Sequence, residues 1–238
     1  MNTAKGEPAI NAIIYDLDGV LVSTDEFHFL AWKQMADEET IPFDRETNER
    51  LRGVSRMESL AIILERSTRT YTDAERQELA QRKNGYYVKS LERLGYESVL
   101  DGALDTVTKI RNLGVLQAVG SSSKNARTIL NRTGLTHLFD AVVDGTMISR
   151  SKPDPEVFLK AAAALDVPPE RCLVVEDAVA GVQAGVAAGM RCFAVGNAAL
   201  EMQNLAGESA PWRSASNLSG DALFSAVGAL LDARVNKD

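Results

Sequence analysis

The chain has 238 residues, 45% of them hydrophobic and 25% charged, with a formal net charge of -7; this allows one core of ordinary size and a smaller second lobe. An acidic balance without clustered Lys and Arg excludes a nucleic-acid binder of the usual electrostatic kind, and no tract is biased enough for disorder or fibre. Met1 to Pro8 lacks the basic and apolar stretches of a secretory leader, and no apolar segment nears the roughly 18 residues that span a bilayer, so a cytoplasmic protein with no membrane partner is expected.

In chain order, the run from Asn11 to Tyr15 is apolar and β-branched and ends at Asp16-Leu17-Asp18-Gly19, which predicts a buried strand closed by a turn. From Thr24 to about Tyr96 the pattern becomes helical, with breaks at Ile41-Pro42 and Gly53 and a capping box at Thr72 and Glu75. After Asp101-Gly102 helix and strand alternate. Helices are predicted over 103–113, 125–133, 154–165 and 178–188, with Gly114, Gly134 and Gly189 closing the first, second and fourth, and strands over 115–120, 141–144, 172–176 and 191–195. A final helix is expected near 219–234. Cys172 and Cys192 each sit in a short apolar strand and read as buried core residues of a reducing compartment.

Such alternation predicts an α/β fold, a parallel sheet with helices on both faces. The expected division is a core of 1–22 and 99–238 with an inserted helical lobe of 23–98, joined by hinge segments near 20–24 and 96–102. Ligands of open parallel sheets bind at the carboxyl ends of the strands. Four chemical elements fall at such ends. Asp16 and Asp18 place two carboxylates on one side of a crevice, where they repel unless a cation or a proton intervenes. Ser121 to Asn125 offer hydroxyls and free amides at a helix start, suited to phosphate. Lys152 stands before two prolines, at 153 and 155, and Glu176 with Asp177 supply hard oxygen ligands. Each alone would pass as surface or cap; the order acid pair, hydroxyl, lysine, acid pair is far more specific.

In that order, and from Ile13 to about Gly196, the chain resembles the haloacid dehalogenase-like superfamily. The resemblance implies a Rossmann-like core with an inserted α-helical cap. It implies Asp16 as the nucleophile that carries the phosphoryl group, Asp18 as general acid and base, and Ser121 and Lys152 as holders of that group. It also implies one magnesium ion (Mg2+) per chain, with Asp16, Asp18 through its backbone carbonyl, Glu176 and Asp177 as ligands.

Three stretches of the helical lobe, Glu26 to Lys33, Gly53 to Arg56 and Arg82 to Asn84, together with Ser121 to Asn125, are similar to the sugar-phosphate mutases of that superfamily. The similarity implies that Arg56 grips the distal phosphate of a bisphosphorylated sugar, with Ser123, Lys124 and Asn125 from the core and Ser122 beside them. It implies sugar contacts from Gly53, Val54 and Ser55, and a role for His28 and Lys83, with Asn84 alongside, in placing Asp18 on closure. Trp32 would line the enclosed site and Thr24 would couple the hinge to Asp18. Ser23 and Asp101 depart from the pattern at the hinges.

The function expected from the resemblance is interconversion of beta-glucose 1-phosphate and glucose 6-phosphate through bound glucose 1,6-bisphosphate, by a monomer that needs only small sugar phosphates as partners. A sugar-phosphate phosphatase on the same scaffold, or a non-catalytic phosphosugar sensor, are the alternatives. No nucleotide-binding glycine loop is present, so ATP is not the expected donor.

Overall fold

The structure is a computed structural model that describes residues 9–51, 54–196 and 198, and the backbone of 212–215. The chain divides into two units, one of Met1–Ser23 with Tyr96–Asp238 and one of Thr24–Gly95. The first unit is built on strands β1 (Ala12–Tyr15), β2 (Leu116–Gly120), β3 (Ala141–Val143), β4 (Cys172–Glu176), β5 (Arg191–Val195) and β6 (Trp212–Ala215). They form one sheet in the order β3-β2-β1-β4-β5-β6, and every pairing is parallel. The strand that ends at Asp16 is central, paired through Ile14 with Ala118 on one side and Val174 on the other.

Period-two alternation divides the side chains of β1 between two covered faces. Ala12 and Ile14 enter a core with Phe158, Val174 and Cys192, against helices α7 (Glu156–Ala164) and α8 (Val179–Ala187). Tyr15 points the other way, toward α5 (Ala103–Asn112): its hydroxyl donates to Gln117 Oε1 at 2.9 Å, and Gln117 Nε2 donates to the carbonyl of Val107 at 3.1 Å. Tyr15 and Gln117 are fully buried, so each needs the other to satisfy a polar group that water cannot reach. Helix α6 (Ala126–Arg132) completes this unit's described helices of four residues or more. Both cysteines are buried and free, and burial pushes each thiol up to about 12.

The second unit holds α1 (Asp25–Glu38), α2 (Arg45–Glu49), α3 (Arg56–Leu64) and α4 (Asp73–Ser90). Its own apolar cluster contains Phe29, Trp32, Met35, Phe43, Leu60, Ile63, Tyr71 and Leu79. The predicted capping box at Thr72 and Glu75 is present at the start of α4, and a second one, at Ser55 and Glu58, starts α3; each contributes about 1 kcal/mol to its helix. Asp44 caps α2 by accepting from the Thr47 amide at 2.8 Å.

The segments that lead into and out of this unit are tied together inside the first. Val22 and Val99 form an antiparallel bridge, the Ser23 amide donates to Ser98 O at 2.9 Å and the Leu100 amide to Leu21 O at 3.0 Å. Strand β6 is an addition to the elements expected from the sequence, and the helix expected near 219–234 lies outside the described residues. Among the described residues, no helix is long and apolar enough to cross a membrane.

Candidate active site

The parallel ladder carries its hydrogen bonding one residue past β1, where the Asp16 amide donates to Val175 O at 2.9 Å. This fixes the carboxylate at the carboxyl edge of the sheet, between the ends of β2 and β4. From the loop after β3, Lys152 donates to Asp16 Oδ1 and, at 2.5 Å, to Glu176 Oε1. The three side chains are 11%, 9% and 2% exposed for Asp16, Lys152 and Glu176, so the charges meet with little water between them. Glu176 Oε2 accepts from the Ala178 amide at 2.8 Å.

Burial pushes the Asp16 carboxyl up to about 7; the charges of Glu176 and Asp18 push the same way, and Lys152 opposes them. Asp177 is pushed up to about 8, by burial first and then by Glu176 and Asp16. Burial works against the Lys152 ammonium, but Asp16 and Glu176 outweigh it and hold the lysine above its ordinary value. Asp18 lies on the turn after Asp16, bridged to Val22. In that turn Gly19 has φ 82°, and a Cβ there would fall on the Asp177 carboxylate; only glycine suits both conditions.

The third element sits at the end of β2. The Ser121 amide donates to Val143 O at 3.0 Å, and the Ser121 hydroxyl accepts from the Ser123 amide at 3.1 Å. Ser123 Oγ accepts from the Asn125 amide at 3.2 Å. Ser121 is buried, and the buried Ser122 hydroxyl has no hydrogen-bond partner. Lys124 is exposed and Asn125 half-buried. This unit therefore brings Asp16, Lys152, Glu176 and Asp177 into mutual electrostatic contact, with Ser121 at the neighbouring strand end.

The expected magnesium ligands are not gathered into a cage. Among the described residues no three acidic, histidine or cysteine side chains converge as metal ligands, and the Lys152 ammonium is hydrogen-bonded to both Asp16 Oδ1 and Glu176 Oε1. The chemistry of the set nonetheless suits a hard cation. It supplies only oxygens, and burial first, with the neighbouring carboxylates adding to it, raises Asp16 and Asp177, a cost that a cation would relieve.

The helical unit groups a second set. Lys83 is 3% exposed; its ammonium donates to His28 Nδ1 at 2.9 Å and lies over the rings of Trp32, at 4.7 Å, and Tyr87, at 5.0 Å. The His28 and Tyr87 rings are 4.0 Å apart, and the hydroxyls of Tyr87 and Thr24 are 3.4 Å apart. Burial, then the charges of Lys83 and Arg56, hold His28 well below its ordinary value. This favours the neutral imidazole, with Nδ1 accepting from the Lys83 ammonium. Arg56 Nη2 donates to Asn84 Oδ1 at 2.8 Å, which restrains the guanidinium.

Other expected residues stand differently. Trp32 belongs to the apolar core of the helical unit. The Ser55 hydroxyl accepts from the Glu58 amide at 3.3 Å and serves the start of α3. Val54 is 39% exposed, and Gly53 lies outside the described residues. Tyr87, packed on both His28 and Lys83, is not among the residues singled out from the sequence; its spacing of four from Lys83 on a helix is the signal that could have found it.

Comparison with known proteins places this geometry. A model of the haloacid dehalogenase-like hydrolase family matches residues 10–189. The chain is 47% identical over 189 residues to a beta-phosphoglucomutase of Bacillus subtilis, covering 79% of this chain and 83% of the relative. It is 28% identical over 183 residues to a phosphorylated carbohydrates phosphatase of Thermotoga maritima, with 76% and 82% covered. The crystal structure of a beta-phosphoglucomutase from Clostridium difficile superposes with a TM-score of 0.80 at 32% identity, covering 95% of this chain and 99% of that one. The Rossmann-like α/β fold expected from the sequence is the one observed, and the chain belongs to the haloacid dehalogenase-like family of enzymes.

Proposed function

We propose that the protein is a beta-phosphoglucomutase, which interconverts beta-D-glucose 1-phosphate and glucose 6-phosphate through beta-glucose 1,6-bisphosphate. The observation that carries this reading is the 47% identity to the Bacillus subtilis mutase, joined to a buried carboxylate held against a buried lysine at the end of the central strand.

In this reading the Asp16 carboxylate attacks phosphorus, the bond from phosphorus to the sugar oxygen breaks, and Asp18 gives that oxygen a proton. Starting from the bisphosphate, this releases one monophosphate; in the second half the free hydroxyl of the other monophosphate, the C6 hydroxyl of beta-glucose 1-phosphate, gives its proton to Asp18 and takes the phosphoryl group from Asp16, which re-forms the bisphosphate. Lys152 and Ser121 neutralise and hold the phosphoryl oxygens, which is most of what such a transfer requires. Magnesium, held by Asp16, the Asp18 carbonyl, Glu176 and Asp177, would supply further positive charge to those oxygens. Lys152 opposes burial and favours the ionised Asp16 that attack requires, and a metal held there would favour it further. Arg56, restrained by Asn84, is assigned to the phosphate that is not reacting. His28 and Lys83 are assigned to the placing of Asp18. The enzyme acts as a cytoplasmic monomer, primed by glucose 1,6-bisphosphate.

The likeness to a carbohydrate-phosphate phosphatase supports hydrolysis as the second reading. The test is conversion of beta-glucose 1-phosphate with magnesium and catalytic glucose 1,6-bisphosphate, recording free phosphate in parallel, with Asp16→Asn as control. Isomerisation that outruns phosphate release and is lost in the control supports the mutase; phosphate release without isomerisation overturns it.

A further inference from the structure

The loop from β3 to α7 carries Lys152, and its shape is controlled by a residue that nothing above assigns a role. Glu156, the first residue of α7, turns back on the loop. Its Oε2 accepts from the amides of Ser149, at 3.0 Å, and Arg150, at 2.8 Å, and from the Ser149 hydroxyl at 2.8 Å. Its Oε1 accepts from the Lys160 ammonium at 2.6 Å, and that ammonium also donates to Met147 O at 2.6 Å. Beside them the Glu156 amide donates to Asp154 Oδ1 at 3.0 Å, and the Asp154 amide to Ser151 O at 3.1 Å. Residues 147, 149, 150 and 151 are thus fastened from one helix end.

We infer that Glu156 is a positioning residue for Lys152: its carboxylate, tied to Lys160 on the next turn of α7, clasps the loop backbone and so sets where the lysine stem begins. This rests on the reading of Lys152 as the group that holds the transferring phosphoryl. The Glu156 side chain is only 12% exposed, so water is a poor substitute for its oxygens. Lys160 first, and then the Arg150 amide and the Ser149 hydroxyl, hold its carboxyl down at about 2, and it stays an acceptor at any assay pH. Lys152 must satisfy two acceptors at once within a buried cluster. A backbone displacement of about 1 Å is enough to cost such a site on the order of 100-fold in rate. Arg150, 71% exposed, pairs with Asp154 at 3.1 Å and reaches Glu156 Oε2 only at 4.0 Å; its removal is the control that takes a charge from the same loop but leaves the Glu156 hydrogen bonds to the backbone.

The test compares Glu156→Ala, Glu156→Gln and Arg150→Ala for kcat, KM, melting temperature and amide hydrogen exchange of the peptide 147–153. Glu156→Ala is expected to lose about 10-fold to 100-fold in kcat with KM little changed, to melt at a lower temperature, and to exchange faster in 147–153. Glu156→Gln keeps an acceptor oxygen and should recover most of the kcat and of the exchange protection, and Arg150→Ala should resemble the parent. In a Lys152→Ala background Glu156→Ala should add no further loss, because its effect passes through the lysine. Unchanged kcat and exchange in Glu156→Ala, a Glu156→Gln as impaired as Glu156→Ala, or a fully additive loss in the Lys152→Ala background would each overturn the inference. A parent protein with no phosphoryl transfer would overturn the functional reading instead, and the exchange of 147–153 would still decide whether Glu156 holds the loop.

Discussion

Each unit buries a lysine, and the two are compensated by different means. In the sheet unit carboxylates face Lys152, and they keep it protonated against desolvation. In the helical unit Lys83 donates to an imidazole and lies over two aromatic faces, and here the lysine adds to burial in holding His28 below its ordinary value. Where compensation is by full negative charge, removing one member leaves a buried ion exposed to the others. Where it is by dipoles and π-faces, the response is smaller and is read in protonation.

The sharpest way to separate function from stability in the charged cluster is Asp16→Asn. Turnover should fall by at least about 10⁴-fold, as for loss of a covalent nucleophile, while the fold stays cooperative, because Glu176 still faces Lys152 and the burial cost of the Asp16 charge is relieved. A variant that unfolds instead would show that Asp16 is a structural ion. Lys152→Ala should destabilise the fold by about 3–5 kcal/mol, since Asp16 and Glu176 are then buried without their cation; urea denaturation near neutral pH measures this. A neutral contrast on the same strand is Tyr15→Phe, which strands Gln117 Oε1 and should cost about 1–3 kcal/mol in the same titration, with kcat unchanged.

The smallest effects belong to the helical unit. The folded His28 pKa lies below the unfolded value near 6.5, so the stability it permits is complete above that pH and is lost as pH falls toward the depressed value. His28→Gln should therefore lose less melting temperature between pH 7.5 and 5.5 than the parent does. Lys83→Met removes a charge that depresses His28, and NMR titration of the imidazole should show its pKa rising.

How far these features are legible in the sequence depends on how local they are. Buried strands such as Cys172–Glu176 announce themselves as apolar runs, and the alternation with helices follows from chain order. Strand β6, Trp212–Ala215, is not legible, because a strand that pairs with β5 at the sheet edge needs no apolar run. The residues Asp16, Lys152, Glu176 and Asp177 can be named from strand ends, but not the ion pairs that put the lysine between two of the acids. Ser55 reads as a loop contact until Glu58 shows it to be a cap. The Glu156 clasp and the packing of Tyr87 on His28 join groups whose meeting depends on loop path and helix rotation, which no window of residues records.

The bridge between Val22 and Val99 has a meaning for how this chain tolerates change. The two strands of the insertion are pinched together before it begins, so to the sheet the whole helical unit is a closed loop. The entropy of closing a loop grows only logarithmically with its length, about 0.6 kcal/mol for each doubling. Exchange of that unit for one of another size is then almost free for the sheet, provided that the ribbon of 21–23 with 98–100 is kept. The same core can be joined to inserted units of different size, so long as that ribbon closes each of them.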